Sequence, residues 1–187
     1  MSARANAIHA NAGAGDPVAV IKRMPDRVWS PAYVGLGSNL DEPIRQVQRA
    51  LERLVDLPDT ELVAASPLYR SAPMGPADQP EYINAAAALL TCLEARDLLG
   101  ALIGIETAMG RVREGERWGP RIIDLDLLVF GRLELDEPGL RVPHPGISSR
   151  NFVLYPLRDL APELWVPGQG RVAALASVCT RDGIERV

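Results

Sequence analysis

Residues 82–110 read YINAAAALLTCLEARDLLGALIGIETAMG, and the change of period inside this stretch decides the fold. From Tyr82 to Leu93 the chain is apolar and extended, with Tyr82 and Asn84 on one face and Ile83 and Ala85 on the other. From Glu94 to Met109 the apolar residues Leu98, Leu99, Leu102, Ile105 and Met109 recur at helical spacing, and Gly110 stops the helix. Glu106 falls beside that stripe near its C-terminal end, toward whatever follows. Upstream, residues 71–81 (SAPMGPADQPE) hold three prolines and a glycine and read as a loop of fixed shape. Residues 60–69 read as one strand. Residues 41–56 read as a helix, with Pro43 in its first turn and Ile44, Val47, Leu51, Leu54 and Val55 as its stripe. Residues 32–36 (AYVGL) read as a short buried strand.

Downstream of Gly110 comes an Arg-rich loop, then a strand over residues 121–130 turned by Gly131. A return strand over 133–135, a rigid VPHPG loop at 142–146, and a helix end with a short strand over 150–157 follow. A turn, an edge strand and a terminal helix run from Ala161. The order strand, helix, strand, strand, helix, strand predicts an α+β fold of the ferredoxin-like β-α-β-β-α-β type: an antiparallel sheet with helices packed on it, plus a C-terminal extension. Two helices on one face leave the other face, or the loops at one edge, free for a ligand.

The 187 residues fit a single domain. Residues 1–31 are rich in Ala, Asn and Gly without periodicity, so they are expected to form a disordered extension to one domain over 32–187. A net charge of −4 and a pI near 5.3 argue against general nucleic-acid or anionic-membrane binding, so any phosphate affinity is local. No stretch reaches the roughly 18 apolar residues of a membrane span, and no secretory signal is visible. Cys92 and Cys179 stand far apart in apolar contexts and read as free thiols. The expected compartment is the cytoplasm.

Chemistry concentrates in residues 110–129, GRVREGERWGPRIIDLDLLV. Arg111, Arg113, Arg117 and Arg121 precede Asp124 and Asp126, with Trp118 among them. Lys22 is the only lysine, so Arg identity alone says little; the clustering beside two acids is what matters. Guanidinium forks match phosphate oxygens, and a pair of hard oxygen donors suits Mg²⁺. On a strand the two carboxylates project from one face, about 6.6 Å apart. A lone D-x-D would read as a solvated face; the arginines favour a polyphosphate-transfer site. The chain lacks both G-x-x-x-x-G-K-[ST] and G-x-G-x-x-G. Rival readings are a metal-dependent phosphohydrolase or nuclease using the same residues, and a ferredoxin-like RNA-binding module, which needs sheet aromatics and a basic face.

Several motifs then fall in register: GSNL at 37–40, GPxDQPxYxNA at 75–85, WGPRxxDLD at 118–126 and VPH at 142–144. With them the chain, from Ala32 to about Leu164, resembles the 6-hydroxymethyl-7,8-dihydropterin pyrophosphokinase family of folate biosynthesis. The resemblance implies transfer of pyrophosphate from ATP to the pterin hydroxymethyl, with two Mg²⁺ and AMP as product. It implies that Asp124 and Asp126 are metal ligands and that they, Arg111 and Arg121 are catalytic. It implies nucleotide contacts from Glu106, Arg113, Trp118, Leu127, His144 and Arg150. It implies pterin contacts from Ser71, Ala72 and Met74 at the ring edge, Tyr82 and Phe152 as the stacking aromatics, and the Asn84 amide. The implied partners are these small molecules, with no nucleic acid, membrane or obligatory protein partner. Ile103, Gly139, Arg141 and Pro145 depart from residues common in the family, all on the ATP side, and Arg141 is placed to replace the Arg missing at position 139.

Overall fold

The computed structural model describes residues 28–75, 78–111 and 119–187. Its main sheet is built around β1 (Ser30–Ser38), which lies antiparallel between β4 (Tyr82–Thr91) and β5 (Asp124–Phe130). In β1, Ala32, Val34 and Leu36 point to a buried layer, and Gly35 and Gly37 alternate with them. β2 (Thr60–Ala65) and β3 (Tyr69–Ser71) both pair with β4. The single strand expected over 60–69 is therefore two. Pro67 has no N–H to donate to the ladder, and the chain steps out of it there. The break is held on β4 by Ser66, whose N–H reaches the Ala86 carbonyl at 2.8 Å while its Oγ accepts the Ala86 N–H at 2.9 Å. With β2 and β3 taken as one interrupted strand, the order is that of a ferredoxin-like sheet.

α1 (Pro43–Val55) and α2 (Ala95–Ala108) cover one face. Val47, Ala50 and Leu54 of α1 meet Leu98, Leu102 and Ile105 of α2 over Val34, Leu36, Leu125 and Leu127. The α1 stripe is rotated from the expected one: Gln46 and Ala50 are buried, and Ile44 and Val55 are exposed. Gln46 turns inward because its amide donates to the Asp41 carbonyl at 2.9 Å. β5 begins at Asp124, not at residue 121, and β1 begins at Ser30, two residues before the expected start. The extension expected over residues 1–31 lies outside the described residues as far as residue 27.

The second face is not left open. Residues 150–157, expected to mix a helix end with a strand, form the helix α3 (Asn151–Leu160) with Pro156 inside it. A helix tolerates the lost N–H here because Val153, Leu154 and Leu157 are clamped in a second core with Leu128, Val129 and Ile147. A bulge in β5 supplies both sheet residues of that core. Leu127 pairs with Val34 and Val129 with Tyr33, so Leu128 is the extra residue, and Leu128 and Val129 both pack toward α3. A hairpin of β6 (Leu135–Glu137) and β7 (Leu140–Val142) follows β5, and β6 replaces the return strand expected over 133–135. After α3 come the short β8 (Trp165–Val166), β9 (Gly170–Arg171) and α4 (Val172–Val178). β10 (Ile184–Arg186) then rejoins the main sheet beside β3. Among the described residues, no helix is long and apolar enough to cross a membrane.

Candidate active site

One row of the sheet places most of the site. Tyr69, Asn84, Gly37 and Asp124 are register partners across β3, β4, β1 and β5. Gly37 leaves a smooth floor between Asn84 and Asp124, because a Cβ built on it would sit 3.4 Å from the Asn84 Oδ1. Gly35 does the same one step along, opposite Asp126 and against Leu128. Period-2 alternation of Gly35 and Gly37 was visible in AYVGLGS, and it marks the face kept free of side chains.

Above this floor is a cavity of about 280 Å³. One part of its wall is aromatic and amide: Ser71, Ala72, Met74, Tyr82, Asn84 and Phe152. Another is ionic: Arg111, Arg121, Asp124, Asp126, His144 and Arg150. Twelve of the sequence-predicted residues thus meet around one volume. Asn84 is buried and donates to the Ser71 Oγ at 2.9 Å, which fixes its amide. Tyr82 donates its hydroxyl to the Gly119 carbonyl at 3.1 Å, and burial pushes its pKa up.

Asp124 stands between two guanidinium groups. Arg111 Nη1 lies 2.5 Å from its Oδ1 and Arg121 Nη1 lies 2.7 Å from its Oδ2. Glu106 and Leu127 do not line the cavity. Leu127 is buried in the core under β5. Glu106 is buried, accepts the Leu125 N–H at 2.8 Å and pairs with Arg111. Its carboxylate therefore anchors Arg111 and the first turn of β5 from behind. Arg113 and Trp118 lie outside the described residues.

Asn39 is the site residue that motif reading passed over. It is 1% exposed. Its Oδ1 accepts the Arg121 N–H at 2.8 Å and its own N–H donates to the Arg121 carbonyl at 3.1 Å. Its Nδ2 donates to the Pro80 carbonyl at 3.2 Å. One side chain thus ties the end of β1 to Arg121 and to the loop before Tyr82. Its position right after Gly37-Ser38 was the available signal. Asn39→Ala strands buried backbone groups, so urea unfolding should report a loss of about 2–3 kcal/mol, several times that of a surface change.

Asp124 and Asp126 face the cavity together, and among the described residues no third His, Cys, Asp or Glu joins them as a metal cluster. Two carboxylates without further protein ligands suit Mg²⁺, which commonly completes its shell with water and substrate phosphates. Burial, and after it the charge of Asp124, raise the Asp126 pKa to about 6. Arg150 and Arg111 oppose that rise. The proton competes with the cation, so Mg²⁺ affinity should fall by about tenfold per pH unit below that value. Calorimetric titration from pH 7.5 to pH 5 checks this; a flat profile refutes it. His144 is held neutral, since burial and then Arg150 lower its pKa. Its Nδ1 accepts the Gly146 N–H at 3.1 Å, so the proton sits on Nε2, a donor available to an anion.

Comparison with known proteins fits this geometry. Residues 33–162 match the profile of the family described as 7,8-dihydro-6-hydroxymethylpterin-pyrophosphokinase. A 2-amino-4-hydroxy-6-hydroxymethyldihydropteridine pyrophosphokinase of Pseudomonas aeruginosa is 55% identical over 155 residues, covering 83% of this chain and 95% of the relative. The Haemophilus influenzae enzyme of the same name is 42% identical over 144 residues, covering 77% and 89%. Among solved structures, the HPPK-DHPS of Plasmodium falciparum with pteroate superposes with a TM-score of 0.65 at 13% identity. That match covers 87% of this chain but 47% of the longer one, so the chain spans about half of that protein and the likeness is one of fold.

Proposed function

The chain belongs to the 7,8-dihydro-6-hydroxymethylpterin-pyrophosphokinase family, and from that premise we infer that it transfers pyrophosphate from ATP to 6-hydroxymethyl-7,8-dihydropterin in folate biosynthesis, releasing AMP. One observation carries the reading beyond the family: a single cavity joins a pair of aromatics with a fixed amide to two carboxylates ringed by arginines. The first set suits a flat, hydrogen-bonding heterocycle, and the second suits a triphosphate.

Tyr82 and Phe152 are assigned to the faces of the pterin, and Asn84, Ser71 and Ala72 to its edge. This seats the hydroxymethyl oxygen for in-line attack on the β-phosphorus of ATP. Asp124 and Asp126 would hold Mg²⁺, two ions in this reading, whose bound charge lowers the repulsion among phosphate oxygens. Arg111 and Arg121 leave Asp124 for the β- and γ-phosphate oxygens as charge builds there. His144 donates from Nε2 to the nucleotide phosphates, and Arg150 adds charge beside it. Arg113 and Trp118, between α2 and β5 in sequence, are assigned to closure over the nucleotide. Positioning and electrostatics supply most of the rate, and no strong base is required. The enzyme is assigned to the cytoplasm, with ATP and the pterin as its partners and no protein partner needed for turnover.

AMP formation measured with and without 6-hydroxymethyl-7,8-dihydropterin tests the function. AMP that appears only with the pterin is the expected result. AMP or phosphate released equally without it would mean a phosphohydrolase instead, a reading that the relatives do not support.

A further inference from the structure

We propose that the C-terminal segment 181–187 is a positioning strap that sets the pterin end of the cavity and leaves the nucleotide end alone; the identity of that ligand rests on the reading above. The segment is tied to three separate parts of one wall. First, β10 pairs antiparallel with β3, Ile184 opposite Ser71, Glu185 opposite Arg70 and Arg186 opposite Tyr69. The pairing is extended at both ends, by Ala72 N–H to the Gly183 carbonyl at 3.3 Å and by Val187 N–H to the Leu68 carbonyl at 2.9 Å. β3 is three residues long and runs directly into the Pro-rich loop, so its own ladder to β4 is short. Ser71 and Ala72, which line the cavity, are the residues that β10 clamps from outside.

Second, the Asn151 Nδ2 donates to the Asp182 carbonyl at 2.9 Å. Asn151 is the first residue of α3 and precedes Phe152, so the strap also holds the helix start that presents this ring. Third, Arg70 donates to the Glu185 Oε1 at 2.8 Å and lies 3.6 Å from the Glu81 Oε2, in the residue before Tyr82. Edge groups and both ring faces therefore share one support. Asp124 and Asp126 sit on β5, at the opposite edge of the sheet from β10. That separation is why the effect is confined to one substrate.

Glu185→Pro is the sharpest test. The bonds at Ala72–Gly183 and Leu68–Val187 flank Arg70–Glu185 by two residues each way, which makes it a hydrogen-bonded pair, and proline removes its N–H. A second variant ends the chain after Thr180. Both are checked for folding by thermal unfolding; if the shorter chain does not fold, Glu185→Pro decides alone. The pterin KM should rise about tenfold or more, while the ATP KM stays within about twofold. Amide exchange at Ser71, Ala72 and Phe152 should quicken in the same variants. An unchanged pterin KM in a folded variant overturns the strap, and so does an equal rise in both KM values. If the parent protein makes no pterin-dependent AMP, the functional reading has failed, and unchanged exchange at those three amides then overturns the strap independently.

Discussion

Asp124→Asn and Asp126→Asn should each reduce pterin-dependent AMP formation by about three orders of magnitude or more, the several kcal/mol that a metal-bridged phosphate site supplies. Their effects on the metal-free protein should run in opposite directions. Asp124 is the shared anion of Arg111 and Arg121, at 2.5 Å and 2.7 Å. Neutralising it leaves two half-buried guanidiniums with one carboxylate fewer, so the melting temperature should fall. Asp126 is a buried carboxyl facing that same anion, and its pKa is raised to about 6. A group whose folded pKa lies above its unfolded one contributes stability that is full below the unfolded value and is lost as pH rises through the folded one. At pH 7.5 the parent protein therefore carries the cost of an ionised Asp126, and Asp126→Asn removes it. The variant should be more stable by an amount on the order of 1–3 kcal/mol at pH 7.5, with the gain gone near pH 4. Activity retained by either purified variant would reject the metal role. A lower melting temperature for Asp126→Asn at neutral pH would show that its environment does not disfavour the charge.

A site that is less stable for being functional explains why its residues were legible in sequence. Asp124 and Asp126 interrupt what would otherwise be a continuous apolar strand, and Gly35 and Gly37 interrupt β1 on the same face. Each breaks a local rule without local benefit, which is how function shows against a packing pattern. The αββα alternation was legible for the same reason, since Tyr82–Thr91 and Ala95–Ala108 differ in period. What escaped depends on contacts distant in sequence. Asn39 acquires its role only when residue 121 and the loop at 80 are brought to it. Glu106 reads as a nucleotide contact until Leu125 is seen to occupy its oxygen. α3 escaped because Pro156 and Phe152 argue against a helix locally, and only the second core outweighs them. Pro67 was the one local signal overlooked, and it splits a strand.

Arg121→Ala should lower kcat by about two orders of magnitude while changing either KM by only about threefold. The asymmetry follows from how the side chain is held. Both backbone groups of Arg121 are fixed on Asn39, at 2.8 Å and 3.1 Å, its Nε donates to the Gly119 carbonyl at 3.3 Å, and its Nη1 is on Asp124. A guanidinium held at both ends costs little reorganisation when charge develops beside it, so its contribution belongs to the transition state more than to ground-state binding. Arg121→Lys tests the same point from the other side. An ammonium keeps the charge but has no fork to span Asp124 and a phosphate oxygen, so it should recover little of the lost kcat. Asn39→Ala should reproduce part of the loss, since it releases the backbone of Arg121 and leaves the guanidinium in place. If Arg121→Ala acted on KM alone, the residue would be a ground-state anchor for ATP. Stabilisation of the moving pyrophosphoryl group would then fall to Arg111, which the buried Glu106 holds from behind.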